Sequence, residues 1–103
     1  MEKVIAGKPI VVNEEGYLEN FSQWTKEIGE QIAVEEGIGP LTDRHWAVIN
    51  YLQDCFKKED PLTIRKVGKS GVTDIKELYE LFPGGPLKKS TKIAGIKKPV
   101  GCI

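Results

Sequence analysis

Little in this chain is equipped for catalysis on its own: it has one histidine, one methionine and two cysteines. The lone His45 offers no HxxxH spacing, and Cys55 and Cys102 form no CxxC pair, so no metal site is expected. His45 is instead expected to be exposed or to cap a helix. No glycine-rich loop opens a helix, and there is no Walker lysine and no GxSxG. Gly68-Lys69-Ser70 has the letters that end a phosphate loop but lacks the earlier glycine and a preceding strand. Long hydrophobic runs are absent too, none approaching the ~18–20 residues that cross a bilayer, and Met1 to Lys8 contain no apolar signal region. A cytoplasmic protein is expected, with no cofactor and no membrane association.

Net charge is zero, yet the charges are unevenly placed. Residues 1–82 carry ten basic and fifteen acidic side chains, whereas residues 83–103 carry five lysines and no acid. An acidic body with a basic tail has three readings. The tail rests on its own body, is drawn to an acidic pocket elsewhere, or serves only to solubilise. With 103 residues, 40% of them apolar, there is room for one domain with a modest core.

The chain opens with short apolar pieces separated by turns: Lys3-Val4-Ile5, then Pro9-Ile10-Val11-Val12, then Tyr17-Leu18. They predict a β-hairpin or meander over about residues 3–18, which needs a packing partner. Asn20 and Gln23 have capping-box spacing, and Phe21, Trp24, Ile28 and Ile32 form a helical stripe, predicting a helix over 21–36. Thr42 begins the next, over 43–58, with Trp46, Ile49, Leu52 and Phe56 on one face. Shorter helices follow over 62–67, stopped by Gly68, and over 74–82, capped by Asp74 with Glu77 and ended by Pro83.

Gly84-Gly85-Pro86 marks a boundary between a globular body, residues 1–83, and a C-terminal arm, residues 84–103. Gly95, Pro99 and Gly101 punctuate that arm, so long regular structure is not expected there. The class is α+β, mainly α: a small helical bundle with an N-terminal hairpin, a helix-turn-helix-like part and a flexible arm. Thr63 to Phe82 is the helix-turn-helix-like part. Its second helix bears Asp74, Glu77 and Glu80 against Lys76 alone, which repels phosphate, so packing is the expected role and direct nucleic-acid binding is not.

The cysteines differ in setting. Cys55 lies within an amphipathic helix beside Phe56 and is expected to be a buried packing residue. Cys102 is expected to be exposed, in lysine-rich surroundings that favour its thiolate, and free to enter another protein's active site.

The residues also resemble a known family. Glu35-Glu36-Gly37-Ile38, Leu41-Thr42-Asp43 with His45-Trp46, Val48-Ile49, Leu52 and Asp54 form one part of the match. Leu78-Tyr79-Glu80-Leu81-Phe82-Pro83 with Gly85-Pro86, and Ala94-Gly95 with Lys98-Pro99-Val100-Gly101-Cys102, form the other. Together they resemble the DsrC/TusE family of sulfur carriers over nearly the whole chain. The resemblance implies a helical body with an N-terminal hairpin, Trp46 under the helical core, and a C-terminal arm whose penultimate cysteine, here Cys102, carries sulfur as a persulfide. It also implies that Arg65 helps line the resting place of the arm.

One departure bears on mechanism. Members serving dissimilatory sulfite reductase carry a second arm cysteine where this chain has Thr91, followed by an arginine where it has Lys92. Without that thiol the arm cannot close a disulfide or trisulfide of its own. A substitute role for Cys55 requires it to face outward, with Cα atoms within ~7 Å. The resemblance therefore favours a TusE-like relay toward tRNA 2-thiouridine, with a donor of the TusBCD or DsrEFH type and a tRNA thiolase as acceptor. The alternatives are a sulfite reductase γ-subunit-like partner and a DNA-binding regulator. A monomer is expected. Lys92, Lys97 and Lys98 are expected in arm docking and partner contact, and Gly101 keeps the backbone slim beside the thiol. Extended, the nineteen residues from Gly84 to Cys102 reach up to ~60 Å.

Overall fold

The computed structural model describes residues 1–60 and 62–97. Strands β1 (Glu2–Ile5) and β2 (Lys8–Val11) pair antiparallel with Ile5 opposite Lys8. Ala6 and Gly7 make the connection at φ 52° and 77°. Two positive φ values are the mark of a type I′ turn, whose twist matches the flanking strands. Ile5, Ile10 and Val12 face inward and Val4 outward. Tyr17-Leu18 does not become a third strand. Asn13 Oδ1 accepts from the backbone N–H groups of Glu15 and Tyr17 at 2.9 and 3.0 Å, and this tight loop leaves only a single bridge, Val12 to Leu18.

The helix predicted over 21–36 is divided. Phe21–Gln23 is a 3-10 turn capped by Asn20, and α1 (Lys26–Glu35) starts afresh at Thr25, whose hydroxyl accepts from the Ile28 N–H. The expected box does not close, because Gln23 Oε1 instead accepts from the Val11 N–H at 3.0 Å. Trp24 is extended at ψ 137° and so breaks the run.

Helix α2 (Asp43–Lys57) is capped by Thr42, with His45 in the place a glutamate or glutamine would take. The Thr42 N–H donates to His45 Nδ1 at 3.1 Å, and Nε2 lies 2.9 Å from the Leu81 carbonyl. A carbonyl can only accept, so Nε2 carries the hydrogen. His45 is thus a cap, but a buried one that ties α2 to α4. Helices α3 (Ile64–Gly68) and α4 (Ile75–Leu81) begin at Thr63 and Asp74, whose side chains accept from Lys66 N and Glu77 N.

The Glu77 carboxylate does not return to its own cap. It takes Arg44 of α2, with Nε to Oε2 at 3.1 Å, and the Thr73 hydroxyl at 2.6 Å. Hydrogen bonding from Arg44, then from Thr73, holds its pKa down to about 2. A depressed carboxylate adds stability above its unfolded value near 4.5 and loses it as pH falls toward 2. Glu77→Gln is therefore expected to melt below wild type at pH 7, with the difference closing as pH falls from about 4.5 to about 2, followed by thermal denaturation.

After Gly84 and Gly85, both at positive φ, Pro86 opens a further helix, α5 (Pro86–Ile93). It packs against α1, α2 and α4. Leu87, Ile93, Ala94 and Ile96 belong to the same buried cluster as Ile28, Ile49, Leu52, Leu78 and Phe82. The boundary expected at Gly84-Gly85-Pro86 is thus corrected: residues 86–96 are body, not arm. Two residues of its buried face, Ser90 and Thr91, carry hydroxyls and disguise the stripe. Both hydroxyls reach the Leu87 carbonyl, at 3.3 and 2.7 Å, and so need no water.

Among the described residues no helix is long and apolar enough to cross a membrane.

Candidate functional site: the end of α5

The described chain that leads in sequence toward Cys102 ends at Lys97, four residues beyond the last residue of α5. Gly95, at φ 73°, ends the helix in a Schellman motif: its N–H donates to the Lys92 carbonyl at 3.2 Å, and the Ile96 N–H to Thr91 at 3.2 Å. Such ends leave the final carbonyls for water. Here two side chains take them. The Trp24 indole N–H donates to the Ile93 carbonyl at 2.8 Å, and the Gln53 amide to the Ala94 carbonyl at 2.9 Å. Gly95 lies so close under Trp24 that a Cβ would sit 2.3 Å from its Cδ1. Ile96 is buried beside them and Lys97 is exposed.

Lys97 lines an open cavity of about 320 Å³ with Asn13, Tyr17, Leu18 and Glu19. Glu19 also lines a neighbouring hollow with Glu14 and Glu15, so the first exposed lysine after α5 borders acidic surface. Trp46 packs against the core. It is partly buried, edge-on to Trp24 at 6.5 Å, with Lys26 Nζ 5.0 Å above its ring.

Lys92 is engaged within the body. Its Nζ lies 3.3 Å from Glu36 Oε2 and 5.8 Å from the Tyr17 ring centre, with the side chain 19% exposed. Beside it the Tyr17 hydroxyl donates to the Lys88 carbonyl and Lys89 to the Glu36 carbonyl. Steric and ionic ties to the 13–19 loop and the end of α1 thus occupy the lysine expected to meet a partner. Arg65 is exposed on α3; its carbonyl accepts from the Lys69 N–H at 3.0 Å, and its side chain makes no hydrogen bond or ion pair with the described residues. Lys98, Gly101 and Cys102 lie outside the described residues.

Cys55 is a free thiol, 5% exposed, on the inner side of α2. Burial, and after it a hydrogen bond with Cys55, pushes the Tyr51 phenol upward. Thr91, where the two-cysteine pattern would put its second thiol, is fully buried. No three His, Cys, Asp or Glu side chains among the described residues cluster in a way that could hold a metal ion. Sequence reasoning missed Trp24 and Gln53 as the partners of α5. The glycine after Ala94 was the one local sign that a helix ended there.

Comparison with known proteins agrees with this architecture. The family model described as DsrC like protein matches residues 4–103. The chain is 39% identical over 104 residues to the dissimilatory-type sulfite reductase subunit gamma of Nitratidesulfovibrio vulgaris, covering 99% of this chain and 98% of that one. It is also 39% identical over 108 residues to sulfurtransferase TusE of Escherichia coli K12, covering 97% and 98%. Among solved structures, the crystal structure of dissimilatory sulfite reductase I (DsrI) superposes at a TM-score of 0.87 with 36% identity, covering all of both chains. The oxidized γ-subunit DsrC from Archaeoglobus fulgidus does so at 0.81 with 32% identity, again over all of both.

Proposed function

The chain belongs to the DsrC-like protein family, and on that premise we propose that it is a one-thiol sulfur carrier that loads persulfide sulfur on Cys102 and hands it on. The observation that carries this reading is the burial of Cys55. With two cysteines in the sequence and one of them enclosed in α2, Cys102 is the thiol left for a partner.

The Cys102 thiolate attacks the outer sulfur of a donor persulfide. A new S–S bond forms on Cys102, the donor's S–S bond breaks, and the donor leaves as a thiolate. An acceptor thiolate then repeats the exchange on the terminal sulfur. No external oxidant or reductant enters, because the sulfur only changes hosts. Lys97 and Lys98 steer the thiol toward an acidic entrance, a task for which Lys92, already paired with Glu36, is less suited.

A relay of the TusE kind in the cytoplasm fits one thiol better than the sulfite reductase role, since Thr91 supplies a buried hydroxyl where a second sulfur would be needed. Equal identity to the γ subunit keeps that role as the second reading. None of the compared relatives is named as a regulator, and α4 commits Glu77 to Arg44, so DNA binding is not proposed.

Intact mass after incubation with a cysteine desulfurase and cysteine tests the proposal. The protein is expected to gain one sulfur, mapped by peptide analysis to Cys102. Absence of any gain from this or another persulfide donor overturns it.

A further inference from the structure

We propose that Trp24 and Gln53 are positioning residues of the carrier, holding the end of α5 so that the chain toward Cys102 starts from a fixed point at Lys97. This inference rests on the carrier reading above. The Schellman motif alone is enough to stop the helix. The two added donors come from different elements, Trp24 from the turn before α1 and Gln53 from α2, and each takes one successive carbonyl, Ile93 then Ala94. Trp24 also roofs Gly95, and Ile96 is driven into the core. Four consecutive residues, 93 to 96, are therefore fixed by side-chain bonds, close packing or burial.

The consequence is a short tether. Five residue steps separate Lys97 from Cys102, a span of at most about 17 Å when extended. A partner's reacting sulfur must come within that distance of Lys97, so the body itself has to seat against the partner. A tether too short to bridge its sites has an effective concentration near zero, and a misplacement of about 1 Å can cost about a hundredfold in rate. An anchored origin makes tether length matter; an α5 that swung free from Gly84 would make it nearly irrelevant.

The test uses the full chain with two variants at the clamp, Trp24→Phe and Gln53→Met, and one beyond it, deletion of Pro99 and Val100. Trp24→Phe keeps the ring over Gly95 and loses only the donor. The deletion removes none of the described residues, so it remains informative if a clamp variant fails to fold. Sulfur is supplied either by persulfidated cysteine desulfurase or by inorganic tetrasulfide. All variants are expected to load from tetrasulfide within about twofold of wild type. Loading from the protein donor is expected to fall by about tenfold or more, most of all in the deletion. A fluorophore on Cys102 is expected to lose residual anisotropy in the two clamp variants.

Protein-to-protein transfer at the wild-type rate in the deletion, or unchanged anisotropy in folded clamp variants, overturns the clamp. Because anisotropy needs no sulfur chemistry, failure of wild type to load from either donor counts against the carrier reading and leaves the clamp to be judged on its own.

Discussion

Cys102→Ser is expected to lose all sulfur loading while melting with the wild type, and Cys55→Ser is expected to load normally while melting lower. A serine alkoxide is not accessible near neutral pH and does not form a persulfide, so the first effect is complete rather than graded. The described core ends at Ile96, six positions before Cys102. Cys55 is the reverse case: enclosed on α2 at 5% exposure, it contributes packing. A hydroxyl in its place costs about 1–3 kcal/mol, eased where Tyr51 accepts a hydrogen bond. Intact mass and thermal melts on the same samples check both halves. Loss of loading in Cys55→Ser with loading retained in Cys102→Ser would reverse the assignment of the two thiols.

Ile93→Ala is expected to destabilise the protein by about 2–5 kcal/mol, a fall in Tm of roughly 10–30 °C for a domain of this size. Ile93 is fully buried on a helix that touches α1, α2 and α4. Its truncation leaves a cavity where three elements meet. Were residues 84–103 an arm, the same change would cost almost nothing. Leu87→Ala should behave alike, while Lys97→Ala, at an exposed position, should leave the melt within about 0.5 kcal/mol of wild type. Urea titration with constant m-values separates these outcomes.

The contrast shows what the sequence carried and what it hid. Helix α2 was legible because Thr42, Asp43 and the stripe from Trp46 to Phe56 agree in cap, charge and period. The hairpin was legible from alternation and from Gly7. Helix α5 was not, because two of its five buried residues are Ser90 and Thr91. Their suitability for burial depends on bonds to the Leu87 carbonyl, which no hydropathy pattern registers. Trp24 read as one more member of a helical stripe, but its indole turns to Ile93, 69 positions away. Contacts of that range leave no local signature. Lys92 read as a free tail charge for the same reason, since Glu36 and Tyr17 are distant in sequence. As to the site, the proposal of Cys102 as the carrier thiol rests on motif and resemblance, whereas the bonds of Trp24 and Gln53 to the end of α5 needed the tertiary structure.

Those long separations also govern how the molecule comes to be. The bonds that seat α5 span 69 positions from Trp24 and 71 from Tyr17, so its docking closes large loops and is expected to be a late, slow event in folding. Helices α1 and α2 are made first during synthesis, and their inner faces wait for a partner emerging dozens of residues later. Until then a nascent chain exposes the side of α2 that α5 will cover, and is open to aggregation. Cys102 follows α5 in the order of synthesis, so a chain long enough to bear that thiol already contains every described residue of the core.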